Sequence, residues 1–118
     1  MIAAVARKLE DERGQAVDAI LAALADPHRR RVVDLLSHGP RPAGELAKAL
    51  GLAPPAMSRH LRTLKQSGLV EESHPAFDAR VRVYALKAGP MAELKAWLEE
   101  TERLWSDQLL AFKAHLEA

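Results

Sequence analysis

The sequence contains no cysteine, few aromatic residues and no long apolar run. The absence of cysteine excludes disulfides, thiolate nucleophiles and cysteine-based metal or redox sites, and it fits a reducing compartment. The longest uninterrupted apolar run, Ala19 to Ala25, is too short to span a bilayer. The first residues mix charges and contain no apolar stretch of the signal-peptide type. We therefore expect a cytoplasmic protein without a membrane partner.

Only five aromatic residues accompany 22 alanines. Alanine favours helix but has little side-chain volume, so a mostly helical chain of this kind has a small core. A length of 118 residues, of which 48% are hydrophobic and 28% charged, indicates one globular domain, 1–118. Three of the five aromatic residues, Trp97, Trp105 and Phe112, lie near the C-terminus. That segment is expected to pack on something large, such as a second copy of itself.

The net charge of +1 hides an uneven distribution. Residues 27–68 carry eight positive and two negative side chains, whereas residues 1–26 and 91–118 are both net negative. A basic block between acidic flanks is typical of a surface that binds a polyanion. Charge alone fits a well-solvated helical surface equally well.

Hydrophobic periodicity and stop signals predict the order α-α-α-α-β-β-α, a mainly α fold with a small β-hairpin. An N-terminal arm, frayed or partly helical, is expected at 1–13. The long last helix, 91–117, follows a break at Gly89-Pro90. The other expected elements are helices at about 15–25, 27–37, 42–50 and 55–67 and strands at 69–74 and 81–86.

The third and fourth helices are joined by a tight corner that contains Gly51 and two prolines. Two short helices across such a turn form a helix-turn-helix, whose second helix fits the major groove of DNA. At about 100° per residue, Met57, Leu61 and Leu64 mark its buried side. His60 falls near the apolar edge, where packing and DNA contact both remain open. The predicted DNA-facing residues of this helix are Pro55, Ser58, Arg59, Arg62, Thr63 and Gln66.

The hairpin adds two further candidate DNA contacts, Arg80 and Arg82. A basic two-stranded wing directly after a helix-turn-helix can touch the adjacent DNA backbone or minor groove. The alternative, a plain antiparallel helix pair with a solvated arginine face, leaves the hairpin unexplained. We therefore expect a winged helix-turn-helix that binds double-stranded DNA, since arginine forks bind guanine or phosphate and hydroxyls bond phosphates or base edges.

Five segments of the chain together form a recognisable pattern: Ala25-Asp26-Pro27-His28-Arg29-Arg30, Gly44-Glu45-Leu46-Ala47, Met57 to Leu64, Ser67-Gly68-Leu69-Val70 and Arg82-Val83-Tyr84-Ala85-Leu86. This pattern resembles that of the arsenical-resistance-repressor (ArsR-like) transcription regulators. The resemblance covers about 17–87. It implies a homodimeric winged-helix protein that binds a palindromic operator, usually as a repressor.

The chain departs from the family pattern in ways that bear on sensing. Members that sense metals through the third helix carry cysteines there, and this chain has none. Of a second family metal site on the last helix, Asp107 and His115 are present without the expected neighbouring ligands. Ala53 stands where a Ser or Thr usually caps the fourth helix, the recognition helix that enters the DNA groove in this family. We therefore expect no metal and no cofactor, and the effector is unknown.

The last helix carries apolar residues at a seven-residue spacing, with further apolar residues beside them. This stripe is broader than the roughly 100° that one intramolecular contact requires. We expect it to pair with its copy, together with the first helix, in an isologous interface. The alternative is a terminal helix that folds back onto its own domain. The predicted interface residues are Met91, Leu94, Leu98, Trp105, Leu109 and Phe112.

The sequence offers no converging set of reactive groups, so we do not expect an enzyme. Its five histidines are scattered without metal-ligand spacing, and it has neither a nucleophile elbow around Ser58 nor a glycine-rich phosphate loop. The remaining alternative function is a winged helix used as a protein-docking module, whose basic face meets an acidic partner.

Overall fold

The computed structural model describes residues 1–117; Ala118, the last residue of the expected domain, lies outside the described residues. The elements follow one another in the order α-α-β-α-α-β-β-α, which confirms the mainly α fold with a small sheet. The elements are α1 Ile2–Leu24, α2 Pro27–Leu36, β1 Arg41–Pro42, α3 Ala43–Leu50, α4 Pro54–Gln66, β2 Val70–Ser73, β3 Val83–Leu86 and α5 Ala88–Glu117.

The first helix is longer than the sequence predicted. Residues 1–13 do not form a frayed arm, because α1 is helical from Ile2 onward while that stretch stays exposed. The segment lacks proline and is rich in Ala, Arg, Lys, Leu and Glu, which favour helix. The later half of α1 buries Val17, Ile20 and Ala23. Once this half is packed, helix propagates outward at little cost, so the exposed half needs no buried face of its own.

The predicted hairpin is part of a three-stranded antiparallel sheet with the order β1-β3-β2. The unpredicted strand β1 pairs Arg41 with Tyr84 and Pro42 with Val83, and the N–H of Ala43 donates to the carbonyl of Arg82 at 3.0 Å. A two-residue strand shows no periodicity in sequence, and its partner lies some forty residues away along the chain. The strands β2 and β3 are shorter than expected, because residues 74–82 form the tip of the wing.

Two helices carry a proline in their first turn. Asp26 caps α2, since its carboxylate accepts the N–H groups of His28 at 2.8 Å and Arg29 at 3.2 Å, with Pro27 at the first helical position. At α5 the predicted break at Gly89-Pro90 is wrong, because the helix begins at Ala88. A proline in the first turn of a helix removes no hydrogen bond, because a backbone N–H at that position would have no intrahelical acceptor.

The core lies where α1, α2, α3 and α4 meet the sheet. Its most buried side chains come from all these elements: Ile20, Val32, Leu46, Met57, Leu61, Leu64, Leu69 and Val70. The Cα radius of gyration is 19.0 Å, whereas a compact chain of this length has roughly 13–14 Å. The difference arises because the N-terminal half of α1 and the C-terminal half of α5 extend beyond the core.

Candidate nucleic-acid interface

The turn between α3 and α4 is set by the backbone at Gly51. Gly51 adopts φ +66°, a left-handed conformation that glycine tolerates best, and the N–H of Leu52 donates to the carbonyl of Ala47 at 3.0 Å. After this stop α4 begins at Pro54. Its N-cap, Ala53, makes no side-chain cap hydrogen bond, as the sequence indicated. The helix-turn-helix geometry therefore rests on backbone hydrogen bonds and the positive φ of one residue.

The orientation of α4 is the one that its periodicity predicts. Met57, Leu61 and Leu64 are fully buried, which fixes the rotation of the helix. Arg59 and Arg62 are exposed on the opposite side, and so are Pro55 and Gln66 at its two ends. The helix thus presents two guanidinium groups and an amide to solvent on one face.

Both hydroxyl residues of α4 already make internal hydrogen bonds. The Oγ of Ser58 accepts from Nη2 of Arg82 at 3.1 Å, and Oγ1 of Thr63 donates to the carbonyl of Arg59 at 3.2 Å. Both side chains are half-buried. The proton of the Ser58 hydroxyl stays free to donate to a ligand, whereas the Thr63 hydroxyl has only acceptor capacity left.

Arg82 lies in a different place from Arg80. Besides Ser58, the half-buried Arg82 guanidinium contacts the hydroxyl of Tyr84 at 3.4 Å, so it ties the wing to the recognition helix. Arg80 lies at the wing tip, where its side chain is 91% exposed and pairs with Asp78 at 3.2 Å. Phe77 beside it is 89% exposed. Phe77 is not among the DNA contacts predicted from the sequence, although a lone aromatic residue in a turn-rich tip is itself a sign of an exposed contact residue.

A second link between α4 and the wing joins Lys65 to Glu72 on β2. The Lys65 Nζ and Glu72 Oε2 atoms lie 3.0 Å apart. The hydrogen bond from Lys65 lowers the pKa of Glu72, with further lowering by the charges of Lys65, His74 and Arg82 against a desolvation effect that raises it. Burial raises the pKa of the neighbouring Tyr84 hydroxyl. Recognition helix and wing are therefore held together by two polar bridges.

Part of the basic block donates to backbone carbonyls of its own chain, although Arg30 itself stays exposed. Arg29 and Arg30 donate to carbonyls at the end of α1, with Nε of Arg29 at 2.6 Å from the oxygen of Ala23 and Nη1 of Arg30 at 2.8 Å from that of Leu24. Arg41 donates to the carbonyl of Leu35 at 3.3 Å. Such groups satisfy carbonyls that a helix leaves unpaired at its C-terminus. The charge count therefore overestimates the basic surface.

The predicted dimer residues divide into two groups. Leu94 is buried in the core of its own chain, and Met91 packs against that core. These two side chains attach the start of α5 to the domain, so they offer little to a partner. The remaining four are 50–67% exposed: Leu98, Trp105, Leu109 and Phe112.

Further apolar residues that the prediction did not name are exposed on the same two helices. On α1 they are Ile2, Val5, Leu9 and Leu21, and on α5 they include Leu104, Leu110 and Leu116. Between α1 and α5 runs an open cleft of about 580 Å³, bordered by Val17 and Trp97. Most of the apolar stripe on α5 therefore has no partner within the described part of the chain.

Other site types find no support in residues 1–117. No three His, Cys, Asp or Glu side chains in this range come together as a metal site. None of its helices combines the length and the apolar content that a membrane crossing requires.

Comparison with known proteins supports the helix-turn-helix formed by α3 and α4. A family described as a helix-turn-helix domain matches residues 24–73. The HTH-type transcriptional regulator Rv2034 of Mycobacterium tuberculosis is 39% identical over 95 residues, which cover 80% of this chain and 83% of that protein. The transcriptional repressor SdpR of Bacillus subtilis is 36% identical over 53 residues, covering 45% and 59% of the two chains.

A solved structure agrees with these sequence relatives. The crystal structure of an ArsR family transcriptional regulator, RHA00566, superposes with a TM-score of 0.69 at 36% identity and covers 79% of this chain and 93% of that one. These relatives are regulators and not enzymes, which agrees with the expectation from the sequence. With the exposed arginine face of α4 and the wing beside it, they show that the chain belongs to the ArsR-like family of winged helix-turn-helix transcription regulators.

Proposed function

We propose that this regulator is a homodimeric repressor that binds an inverted-repeat operator. The observation that carries the proposal is that one chain presents both an outward arginine face on α4 and an unpartnered apolar stripe on α5. The arginine face suits a DNA groove, and the apolar stripe suits another copy of the chain. A bound dimer covering the operator would block access to it, in the cytoplasm where we expect the protein to act.

The extent and position of the exposed apolar surface support a dimer. Monomeric proteins rarely expose large contiguous apolar patches, and such patches mark interaction sites. Trp105 and Phe112 are 67% and 60% exposed, and Leu109 between them is 63% exposed. A two-fold pairing of α5 with its copy, assisted by α1, would cover them with identical side chains.

Symmetry gives the second copy a role in DNA recognition. One helix in one groove contacts only a few base pairs. Two recognition helices related by a two-fold axis and about 34 Å apart read two half-sites of an inverted repeat. The dimer is therefore part of the specificity mechanism.

The exposed groups of α4 supply plausible base and phosphate contacts. Arg59 and Arg62 can fork onto guanine or phosphate, and Gln66 can pair with adenine. Ser58 can donate its free proton to a phosphate, and Thr63 can only accept. Pro55 offers apolar contact at the start of the helix.

The wing adds contacts beside the groove. Arg80 at the tip can reach the adjacent backbone or minor groove. Arg82 retains guanidinium donors beyond those used by Ser58 and Tyr84, so it can approach a phosphate only from its fixed position.

Selection of bound fragments from random duplex DNA tests the proposal. We expect enrichment of one inverted repeat, bound by two chains. Affinity should fall with rising salt, with a log–log slope of about −0.9 per neutralised phosphate. Binding with no enriched sequence and no steep salt dependence would favour the alternative, a docking module for an acidic protein.

Arginine variants sharpen the test. Arg59→Ala or Arg62→Ala should weaken operator binding by about 1–3 kcal/mol and flatten sequence preference if the side chain reads a base. Equal loss on all sequences would show a phosphate contact only. Arg103→Ala is the matched control, because Arg103 lies on α5 and pairs only with Glu100 at the surface. A loss of the same size in the control would contradict the assignment of α4.

A further inference from the structure

One arginine connects three helices of the domain. Arg29 of α2 donates from Nε to the carbonyl of Ala23 at 2.6 Å and from Nη2 to that of Ala22 at 3.4 Å. Both carbonyls belong to the last turns of α1. The third nitrogen of the same guanidinium, Nη1, lies 3.5 Å from Nδ1 of His60 on α4. The guanidinium thus joins the end of α1, which assists the proposed dimer, to the recognition helix α4.

A hydrogen bond between Arg29 and His60 requires one tautomer of the His60 ring. A guanidinium has only donors, so the Nδ1 atom that faces it must act as an acceptor. His60 is then neutral, with its proton on Nε2. The geometry also resolves the question that the sequence left open, because His60 is half-buried and faces α2.

A second histidine and a carboxylate complete the cluster. The rings of His28 and His60 lie 5.5 Å apart and are tilted by 42°. The Nδ1 atom of His28 is buried and has no hydrogen-bond partner. Asp26 caps α2 next to them. Burial alone would raise the pKa of Asp26, but hydrogen bonds from the N–H groups of Arg29 and His28 and the charge of Arg29 lower it, and a proton on His60 would lower it further.

We propose that Arg29 is a positioning residue, which through neutral His60 sets the orientation of α4 relative to the dimer, and that a proton on His60 releases this link. The inference rests on the proposed dimeric function. The packing of Met57, Leu61 and Leu64 keeps α4 folded without the link. What the link determines is the direction in which Arg59 and Arg62 point at a half-site.

The proton changes the partner of His60. The charged and titratable groups that face this ring are Arg29 and His28 of α2 and Asp26, which caps α2, while α1 contributes the carbonyls of Ala22 and Ala23 to the same cluster. A protonated ring loses its acceptor toward Arg29 and is repelled by the guanidinium. It is attracted instead by the Asp26 carboxylate. Imidazole commonly exchanges its proton between about pH 5 and 8, so the link is sensitive to mild acid.

The test compares variants that keep or remove the acceptor. His60→Gln keeps an amide oxygen that can accept from Arg29, and His60→Leu removes it at similar volume. Each is titrated at pH 7.5 with the duplex enriched in the selection above and with a scrambled duplex of equal length. We expect His60→Leu to bind the enriched duplex about tenfold more weakly, because α4 loses the contact that orients it at the half-site. Its affinity for the scrambled duplex and its sedimentation should stay unchanged, and His60→Gln should bind like the wild type.

Arg29→Lys tests the link from the other side, in case His60→Leu lowers the melting temperature. A lysine cannot hold the α1 carbonyls and His60 in one planar fork, so it should weaken specific binding in the same way. Between about pH 8 and 5.5, across the range where imidazoles titrate, the wild type should lose more affinity than His60→Gln. The other four histidines are common to both proteins, so their contributions cancel in this comparison.

The outcomes separate the two levels of the argument. A wild type without sequence preference would overturn the proposed function, and this inference with it. A wild type that prefers the enriched duplex, matched by His60→Leu and by Arg29→Lys, would overturn the inference alone. A pH profile of His60→Gln that coincides with that of the wild type would remove the proton from the mechanism.

Discussion

The replacement Trp105→Glu tests the proposed dimer most directly. Trp105 is 67% exposed in one chain, so its removal takes nothing from the core of that chain. An aromatic side chain buries about 150–250 Å² in total. The exposed part of Trp105 therefore amounts to about 100–170 Å² on the same scale.

The expected magnitude follows from this area. At about 25 cal/mol per Å², complete covering of that surface is worth about 2.5–4 kcal/mol in each subunit. A two-fold interface contains the residue twice, which gives about 5–8 kcal/mol as an upper estimate. The glutamate that replaces it would also have to lose its hydration in an apolar contact. We expect the dissociation constant of the dimer to rise by a factor of about 10³ or more.

Sedimentation equilibrium measures the result. The wild type should sediment at twice the chain mass of 13.0 kDa and the variant at that mass, with unchanged helix content by circular dichroism. Ala114→Glu is the matched control, because it adds the same charge to the same exposed helix on the side opposite Trp105, about 180° around the axis. A Trp105→Glu protein that remains dimeric would refute the interface, and so would dissociation of both variants.

Three further predictions concern the wing, a polar bridge and a turn. Arg80→Ala should weaken binding to specific and scrambled duplexes alike. It should also make the slope of log affinity against log salt concentration shallower by about 0.9, the contribution of one phosphate contact. An unchanged slope would show that the wing tip does not touch DNA. Glu72→Gln should lower the free energy of unfolding by about 0.5 kcal/mol at pH 7. Because the native pKa of Glu72 is lowered from 4.5, its stabilisation is present above that value and is lost as the pH falls below it. Urea midpoints of the two proteins should therefore converge at low pH, and a constant difference would contradict the bridge. Gly68→Ala should lower the free energy of unfolding by about 1–2 kcal/mol, because Gly68 adopts a left-handed φ of +84°. Gly14→Ala inside α1 is the control and should raise the free energy of unfolding by up to about 1 kcal/mol. Equal urea midpoints for the two variants would contradict the role of the turn at Gly68.

The recognition helix shows how much a local pattern can predict. The spacing of Met57, Leu61 and Leu64 fixes which side of α4 is buried, because side chains three and four residues apart share one face of a helix. The exposure of Arg59 and Arg62 follows from the same geometry. The Asp26 cap and the left-handed stop at Gly68 are local as well, since their hydrogen bonds and dihedral angles involve neighbours in sequence.

Other features depend on contacts between distant segments. Strand β1 exists only because β3 lies beside it, and no period is visible in two residues. The seven-residue stripe of α5 placed Leu94 in the predicted interface, whereas the structure uses it in the core of its own chain. A periodic pattern identifies an apolar face but does not say which surface covers it.

The sequence by itself determined the order of most elements, the buried side of the recognition helix and the family to which the chain belongs, because these depend on residues close together along the chain. Only the tertiary structure decided which arginines remain free. Arg29 and Arg59 carry the same charge in the same basic block, yet Arg29 is bound to the end of α1 and to His60 while Arg59 faces solvent. The physical reason is that a guanidinium donates to whichever carbonyl or ring nitrogen the fold brings within reach, and that proximity is not encoded in spacing or composition.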